Sequence, residues 1–167
     1  MTCYREVQQF RQPWVWAILL APLGFLGWGA YQQFVLRRPW GDRPMPDTGL
    51  LLLCAAIGLF LLWFYSVRLV TEVRDDELIV HFVLLWRKKV IPLGDIRSAE
   101  AVEYRPIRDY GGWGIRYGLG GWAYNVSGNR GVQLKFWYGT DLLIGSQRAD
   151  ELAAVLNERL RARQPGR

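Results

Sequence analysis

Histidine and cysteine, the side chains that most often bind metals or act as nucleophiles, are scarce in this sequence. Its 167 residues include one histidine, His81, and two cysteines, Cys3 and Cys54. The cysteines belong to no C-x-x-C pair or ligand cluster, so we predict neither a structural disulfide nor a metal site. His81 alternates with apolar residues in a strand-like stretch, where a solvated histidine is far more common than a catalytic base.

Catalytic and cofactor-binding signatures are missing as well. There is no H-E-x-x-H, G-x-S-x-G, P-loop or paired-carboxylate motif. The stretch 118–123 fits the dinucleotide pattern G-x-G-x-x-A, but a strand-like sequence follows where that motif requires the N-terminus of a helix. We therefore predict that the protein is not an enzyme and binds no cofactor.

Apolar residues are abundant instead, at 51% of the chain, and many lie in two runs. Residues 12–36 and 48–67 include no charged side chain. A helix of about 20 residues rises about 30 Å and can cross the hydrocarbon core of a bilayer. A cleaved signal peptide is disfavoured because the first run is too long and a second follows at once. We predict an N-terminal segment over 1–13, transmembrane helices over 14–36 and 48–67, and a loop over 37–47.

Small residues interrupt both runs and suggest how the two helices pack. They are Gly24, Gly27 and Gly29 in the first run and Cys54, Ala55, Ala56 and Gly58 in the second. Because small side chains let helix backbones approach closely, we predict a hairpin with these residues at its interface.

The charge balance favours a membrane over a nucleic acid as the partner. A formal net charge of +6 is compatible with nucleic-acid binding, an anionic membrane surface or a positive-inside bias, and the apolar runs favour the last two. We therefore predict no nucleic-acid partner. Arginines at the outer ends of the runs outnumber those in the loop, which places both termini and the soluble part in the cytoplasm. They are Arg5, Arg11, Arg68 and Arg74, against Arg37, Arg38 and Arg43.

After Arg68 the apolar period changes to two, the pattern of half-buried strands. In 77–84, for example, Leu78, Val80, Phe82 and Leu84 share one face. The pattern predicts short strands at 69–74, 77–84, 86–91, 96–104, 113–117, 122–126, 131–138 and 141–145. Apolar residues at helical spacing in 148–163 predict one amphipathic C-terminal helix. A sheet of this size needs closure, which a barrel or sandwich covered by that helix provides.

Besides the order of these elements, a resemblance to a known family rests on segments 4–6, 11–14, 111–117, 123–128 and 143–147. The β part resembles a pleckstrin-homology-like domain, and its position after a helical hairpin resembles bacterial membrane-anchored proteins with such a domain. The resemblance covers nearly the whole chain. It implies an α+β membrane protein of the bacterial inner membrane, with an N-terminal two-helix transmembrane hairpin. Residues 68–167 would form an antiparallel β-barrel or sandwich of seven or eight strands with one C-terminal helix.

One departure from that family limits what the resemblance implies. In phosphoinositide-binding members the first hairpin loop is basic, whereas here the loop 74–77 reads Arg-Asp-Asp-Glu. The usual inositol-phosphate site is therefore not expected in this protein.

Residues 104–130 combine arginines, aromatic side chains and glycines. Arginine pairs with carboxylate or phosphate through a planar fork, and aromatic rings add rigid contact area. We predict a ligand- or partner-binding surface formed by Arg105, Arg108, Tyr110, Trp113, Arg116, Tyr117, Tyr124, Asn125 and Arg130. In the alternative interpretation the glycines serve tight turns, the aromatic residues fill a small barrel and the arginines lie at its rim.

A second candidate surface lies between two predicted strands where no glycine, proline or asparagine indicates a turn. An apolar tip followed by basic residues suits insertion into an anionic membrane interface. The residues are Leu84, Leu85, Trp86, Arg87, Lys88 and Lys89. The alternative is an unrecognised turn whose apolar side chains pack in the core.

The sequence thus favours a non-enzymatic, membrane-anchored binding or scaffold module. Its partner would be an anionic lipid headgroup, a peptide or a membrane protein. The next hypothesis is a structural subunit that acts through its transmembrane hairpin within a larger membrane complex. A membrane enzyme, the third, would need titratable residues gathered from distant strands.

Overall fold

The computed structural model describes residues 2–41, 43–118 and 120–163. The chain is α+β and divides into two compact units. The helical unit is Arg11–Ser66, and the β unit comprises the residues up to Phe10 and those from Val67 onward. The N-terminal segment, for which we predicted no secondary structure, therefore belongs largely to the β unit.

The helical unit is an antiparallel pair of long helices. Its elements are α1 (Pro13–Ala30), a π-helical turn (Tyr31–Val35) and α2 (Asp47–Ser66). At one end Trp16 packs edge-on against Phe64, with ring centroids 5.8 Å apart. At the other end the Gln33 amide donates to the Asp47 carboxylate at 2.8 Å. Both helices are long and apolar enough to cross a membrane.

The small residues do not pack these two helices together as we predicted. A Cβ atom added at Gly24, Gly27 or Gly58 would meet no other atom within 4 Å. Of the glycines predicted at the interface, Gly29 is closely approached, but by the indole of Trp40 from the loop. The buried side chains of α2 are two large leucines, Leu50 and Leu61.

The first sheet of the β unit has the order β1-β2-β3-β4, with all neighbours antiparallel. Its strands are β1 (Thr2–Gln9), β2 (Arg68–Arg74), β3 (Glu77–Val83) and β4 (Lys89–Pro92). The register pairs Gln9 with Arg68 and Arg68 with Val83. The turn after β3 therefore lies at the end of the sheet where the chain leaves for α1 and returns from α2.

The second sheet has the order β5-β8-β9-β7-β6. Its strands are β5 (Ile96–Glu103), β6 (Gly114–Gly118), β7 (Gly121–Asn125), β8 (Arg130–Phe136) and β9 (Leu142–Gly145). We predicted antiparallel strands throughout, but β7 and β9 are parallel. The β8–β9 hairpin lies between β5 and β7. After β7 the chain therefore crosses the position that β9 occupies and forms β8 beside β5.

The main core lies between the two sheets, and alternation in β3 predicts its members correctly. Leu78, Val80 and Phe82 all point into it. Helix α4 (Ala149–Arg163) covers the same core with Leu152, Leu156 and Leu160, as its helical spacing predicts. A short helix, α3 (Pro106–Tyr110), is too brief to have shown a period in the sequence.

Polar side chains of β1 tie the N-terminus to the start of α4. Glu6 is buried, and its carboxylate accepts hydrogen bonds from the Tyr4 and Ser146 hydroxyls at 2.6 Å each and from the Gln147 backbone N–H at 2.8 Å. Burial, and next the bond to Glu6, raises the pKa of Tyr4. The Ser146 hydroxyl also accepts the Arg148 N–H at 3.0 Å, which satisfies a backbone donor just before α4 begins.

Candidate functional site

The turn between β3 and β4 forms an exposed apolar tip, which we call the β3–β4 tip (residues 84–88). The Phe82 carbonyl accepts the backbone N–H groups of Leu85 at 3.2 Å and Trp86 at 2.9 Å, which fixes the turn. Leu84 adopts a left-handed conformation with φ +65°, where a turn would normally place glycine or asparagine. Strand β4 begins only at Lys89, so we placed its start too early.

The β3–β4 tip does not contribute to the core, contrary to the alternative interpretation. Leu84, Leu85 and Trp86 are 58%, 40% and 61% exposed, and Arg87 and Lys88 are exposed beside them. Leu84 was predicted to share the inward face of β3, but the turn reverses the chain before the pleat reaches it. Three adjacent large apolar side chains that a strained turn leaves exposed are typical of a contact surface.

Lys89, the last residue assigned to this surface, differs from its neighbours. It is half-buried, and its ammonium lies 5.8 Å from the ring centroid of Tyr124. Burial lowers the pKa of Lys89 because desolvation penalises the charged form. The solvated charges available to an anionic partner at the β3–β4 tip are therefore those of Arg87 and Lys88.

Replacing Leu84 with glycine is expected to stabilise the β unit by about 0.5–1 kcal/mol. Relief of the left-handed conformation contributes about 1–2 kcal/mol, and the greater freedom of glycine in the unfolded chain offsets about half of this. The matched control is Leu85→Gly, because Leu85 is also exposed but has no positive φ. Amide hydrogen exchange of β3 in zwitterionic nanodiscs should show the first variant more protected and the second less protected than the parent. Equal losses in both would contradict this account of Leu84.

The arginines of the first predicted surface do not act alike. Arg105 precedes α3, Arg108 lies within it and Arg116 lies on β6; all three are exposed, and no described acidic group forms an ion pair with them. Arg130 instead pairs with Asp150 at 2.9 Å. That contact joins β8 to the first turn of α4, so Arg130 also has a structural partner within the fold.

Three further residues assigned to that surface are buried. Tyr110, the last residue of α3, packs edge-on against Tyr104, and Tyr124 lies in the main core. Burial raises the pKa of Tyr110 and of Tyr124. Asn125 is fully buried, and its side-chain oxygen accepts the Gly114 N–H at 2.9 Å. These positions shape the fold and cannot reach a partner from inside it.

The remaining aromatic residues are accessible in part. The Trp113 indole donates to the Gly128 carbonyl at 3.1 Å, which holds the turn before β6. Tyr117 is 65% exposed and packs edge-on against Trp122, with ring centroids 5.3 Å apart. Trp122 was not predicted as a site residue, although its strand alternation with Tyr124 would have placed both on one face.

A second exposed aromatic group was missed because it was assigned to a strand. Strand β8 ends at Phe136, and a cavity of about 340 Å3 is lined by Asp95, Phe136, Trp137 and Tyr138. The Arg97 guanidinium lies 5.6 Å from the ring centroid of Trp137 and covers part of this surface.

No protein-family model matches the sequence, and neither does any curated protein. The resemblance to a pleckstrin-homology-like domain therefore stays a prediction. In the parts of the chain that the structure describes, no three His, Cys, Asp or Glu side chains lie close enough to share a metal ion.

Proposed function

We propose that this protein is a non-enzymatic membrane-anchored module, in which α1 and α2 span the bilayer and the β3–β4 tip rests on an anionic leaflet. The helices support this anchor because their apolar surface is exposed. Only 6% of the most apolar stretch of the first helix and 11% of that of the second are buried. The core helix of a soluble protein would be mostly covered, so lipid is the natural solvent for this surface.

The length of the connecting chain supports the position of the β3–β4 tip at the membrane. One residue separates Ser66 of α2 from Arg68 of β2, and three separate Gln9 of β1 from Pro13 of α1. Three residues bridge at most about 15 Å. The register brings Val83 beside Arg68, so the tip lies at the tethered end of the sheet. This location of an exposed apolar–basic turn is the observation that carries the proposal.

The composition of the tip suits an anionic interface. Tryptophan is stable at headgroup depth, and each nearby basic side chain adds about 1 kcal/mol of attraction to an anionic leaflet. Arg87 and Lys88 together would contribute about 2 kcal/mol. In this proposal the short connections tether the β unit near the bilayer surface, so a modest attraction would suffice to keep the tip docked.

Spin labelling of the full-length chain tests this arrangement. In a Cys3→Ser, Cys54→Ser background, a label at Leu85→Cys should be shielded from an aqueous nickel chelate and accessible to oxygen in liposomes that contain phosphatidylglycerol. The control is Ile107→Cys, at an apolar residue that is 70% exposed on α3, which should stay accessible to nickel. In the Arg87→Gln, Lys88→Gln variant the label at position 85 should also become accessible to the nickel chelate, because the attraction of the tip to the anionic leaflet is lost.

Two different results would contradict two different parts of the proposal. A label at position 85 that is as accessible to nickel as the one at position 107 would exclude docking of the tip. Protein that stayed soluble and did not associate with liposomes would exclude the membrane anchor itself.

The structural-subunit alternative also has support from the helices. Gly24, Gly27 and Gly58 leave open surface on α1 and α2 that neither helix fills. Another membrane helix could approach closely there. This alternative is compatible with tip docking, since it concerns a different part of the chain.

A further inference from the structure

Strand β6 forms an edge of the second sheet. β6 is the last strand of its sheet and pairs only with β7 among the described strands. The Trp122 N–H donates to the Asp141 carbonyl at 3.0 Å, away from β6, although Trp122 is the register partner of Tyr117. The Tyr117–Trp122 pair is therefore a non-hydrogen-bonded pair of the antiparallel ladder. The backbone N–H and C=O of Tyr117, and by alternation those of Ile115, point outward from the sheet.

The side chains along this edge are sorted by face. Ile115 packs against the main core, and Tyr117 with Trp122 extends the same face as an exposed aromatic surface. Arg116 lies between them on the opposite face. Its Nε donates to the Trp113 carbonyl at 3.2 Å, which orients the guanidinium and leaves its remaining N–H groups for a ligand.

We propose that the β6 edge binds an extended peptide segment in which an acidic residue is flanked by apolar residues. The peptide backbone would pair with Ile115 and Tyr117 and add a sixth strand to the sheet. The acidic side chain would lie beside Arg116, and its apolar neighbours would cover Ile115 and the Tyr117–Trp122 pair. Arg105 and Arg108 are exposed on the preceding segment and add positive charge, which favours an acidic ligand.

A second copy of this chain fits the edge less well. Two β6 strands that pair antiparallel about a two-fold axis would bring their Arg116 side chains close together, and like charges at such positions are destabilising. The net charge of +6 would add to this repulsion. The peptide proposal does not depend on docking of the β3–β4 tip, because it concerns an edge of the other sheet.

The test uses the full-length chain in nanodiscs and a fluorescein-labelled peptide, Thr-Ser-Val-Glu-Val-Ser-Thr, with a control peptide that has lysine in place of glutamate. Anisotropy should show binding of the glutamate peptide, and hydrogen exchange at the Ile115 and Tyr117 amides should slow when it binds. Arg116→Glu should weaken this binding about tenfold and favour the lysine peptide. Arg161→Glu, a charge reversal at an exposed residue of α4, should change neither the affinity for the glutamate peptide nor the preference for it over the lysine peptide.

Tyr117→Pro provides an independent variant. It removes one outward N–H while leaving the bonds between β6 and β7 intact, as proline on an edge strand allows, and it should abolish binding. If this variant does not fold, Arg116→Glu alone still decides the question. Equal binding of the two peptides, or no binding of either, would overturn the proposal. It would also be overturned if these amides were protected without peptide and this protection increased with protein concentration. In every variant the spin label at position 85 should report the same depth, so failure here is distinguishable from failure of the membrane proposal.

Discussion

Replacing Glu6 with alanine is expected to destabilise the β unit by about 3 kcal/mol or more. The carboxylate accepts three hydrogen bonds in a buried site, from two hydroxyls and a backbone N–H. A hydrogen bond to a charged group contributes about 1.5–3 kcal/mol, and a buried donor that loses its acceptor keeps its desolvation cost. Tyr4 and Ser146 are both buried, so water could not easily replace the carboxylate.

Hydrogen exchange of the β8 amides at Val132 and Leu134, measured on the full-length chain in nanodiscs, reports this loss, since core strands open only in the global unfolding of the unit. Glu100→Ala is the matched control. Glu100 forms a surface ion pair with Lys135 at 3.5 Å, and such pairs contribute less than about 1 kcal/mol. A loss at Glu6 no larger than that at Glu100 would show that the buried network does not hold β1 in place.

The same network explains why the first strand was not predicted. Strand β1 alternates correctly, but its inward positions are Tyr4, Glu6 and Gln8, whereas the exposed Val7 points outward. A search for apolar residues at period two would therefore assign the exposed face of β1 to the core. Its partner strand β2 is some 60 residues away across the helices, and no local signal in the sequence links them. Buried polar residues are stable only with partners that the fold supplies.

Strands with apolar inward faces were predicted within a few residues, because alternation alone defines them. The β3–β4 tip was recognised for a related reason, since large apolar side chains beside a basic run are visible in the sequence. Its conformation was not, because nothing local predicts leucine at φ +65°.

Whether an aromatic residue of a strand is buried in the core or exposed depends on the face of the sheet on which it lies. Composition alone therefore did not distinguish Tyr124, which is buried, from Tyr117, which is exposed. The ion pair of Arg130 with Asp150 was not predicted either, because it depends on the packing of α4 against β8.

Substitution of alanine at Gly121 and at Gly139 is expected to give very different losses, although the two glycines have nearly the same φ, +94° and +99°. Both variants incur the cost of a left-handed conformation, about 1–2 kcal/mol. At Gly139 the new Cβ would meet no atom within 4 Å, so no further loss of stability is expected.

At Gly121 the Cβ would overlap the carbonyl oxygen of Asp141. That oxygen accepts the Trp122 N–H, so it cannot move without loss of the contact that joins β7 to the β8–β9 turn. The expected loss is therefore about 3 kcal/mol or more, with exchange at β7 and β9 accelerated first. Comparable losses at the two glycines would mean that φ alone sets the requirement. A selective loss at Gly121 would show that close packing of β7 on this turn holds β6, and with it the proposed peptide-binding edge, in the sheet.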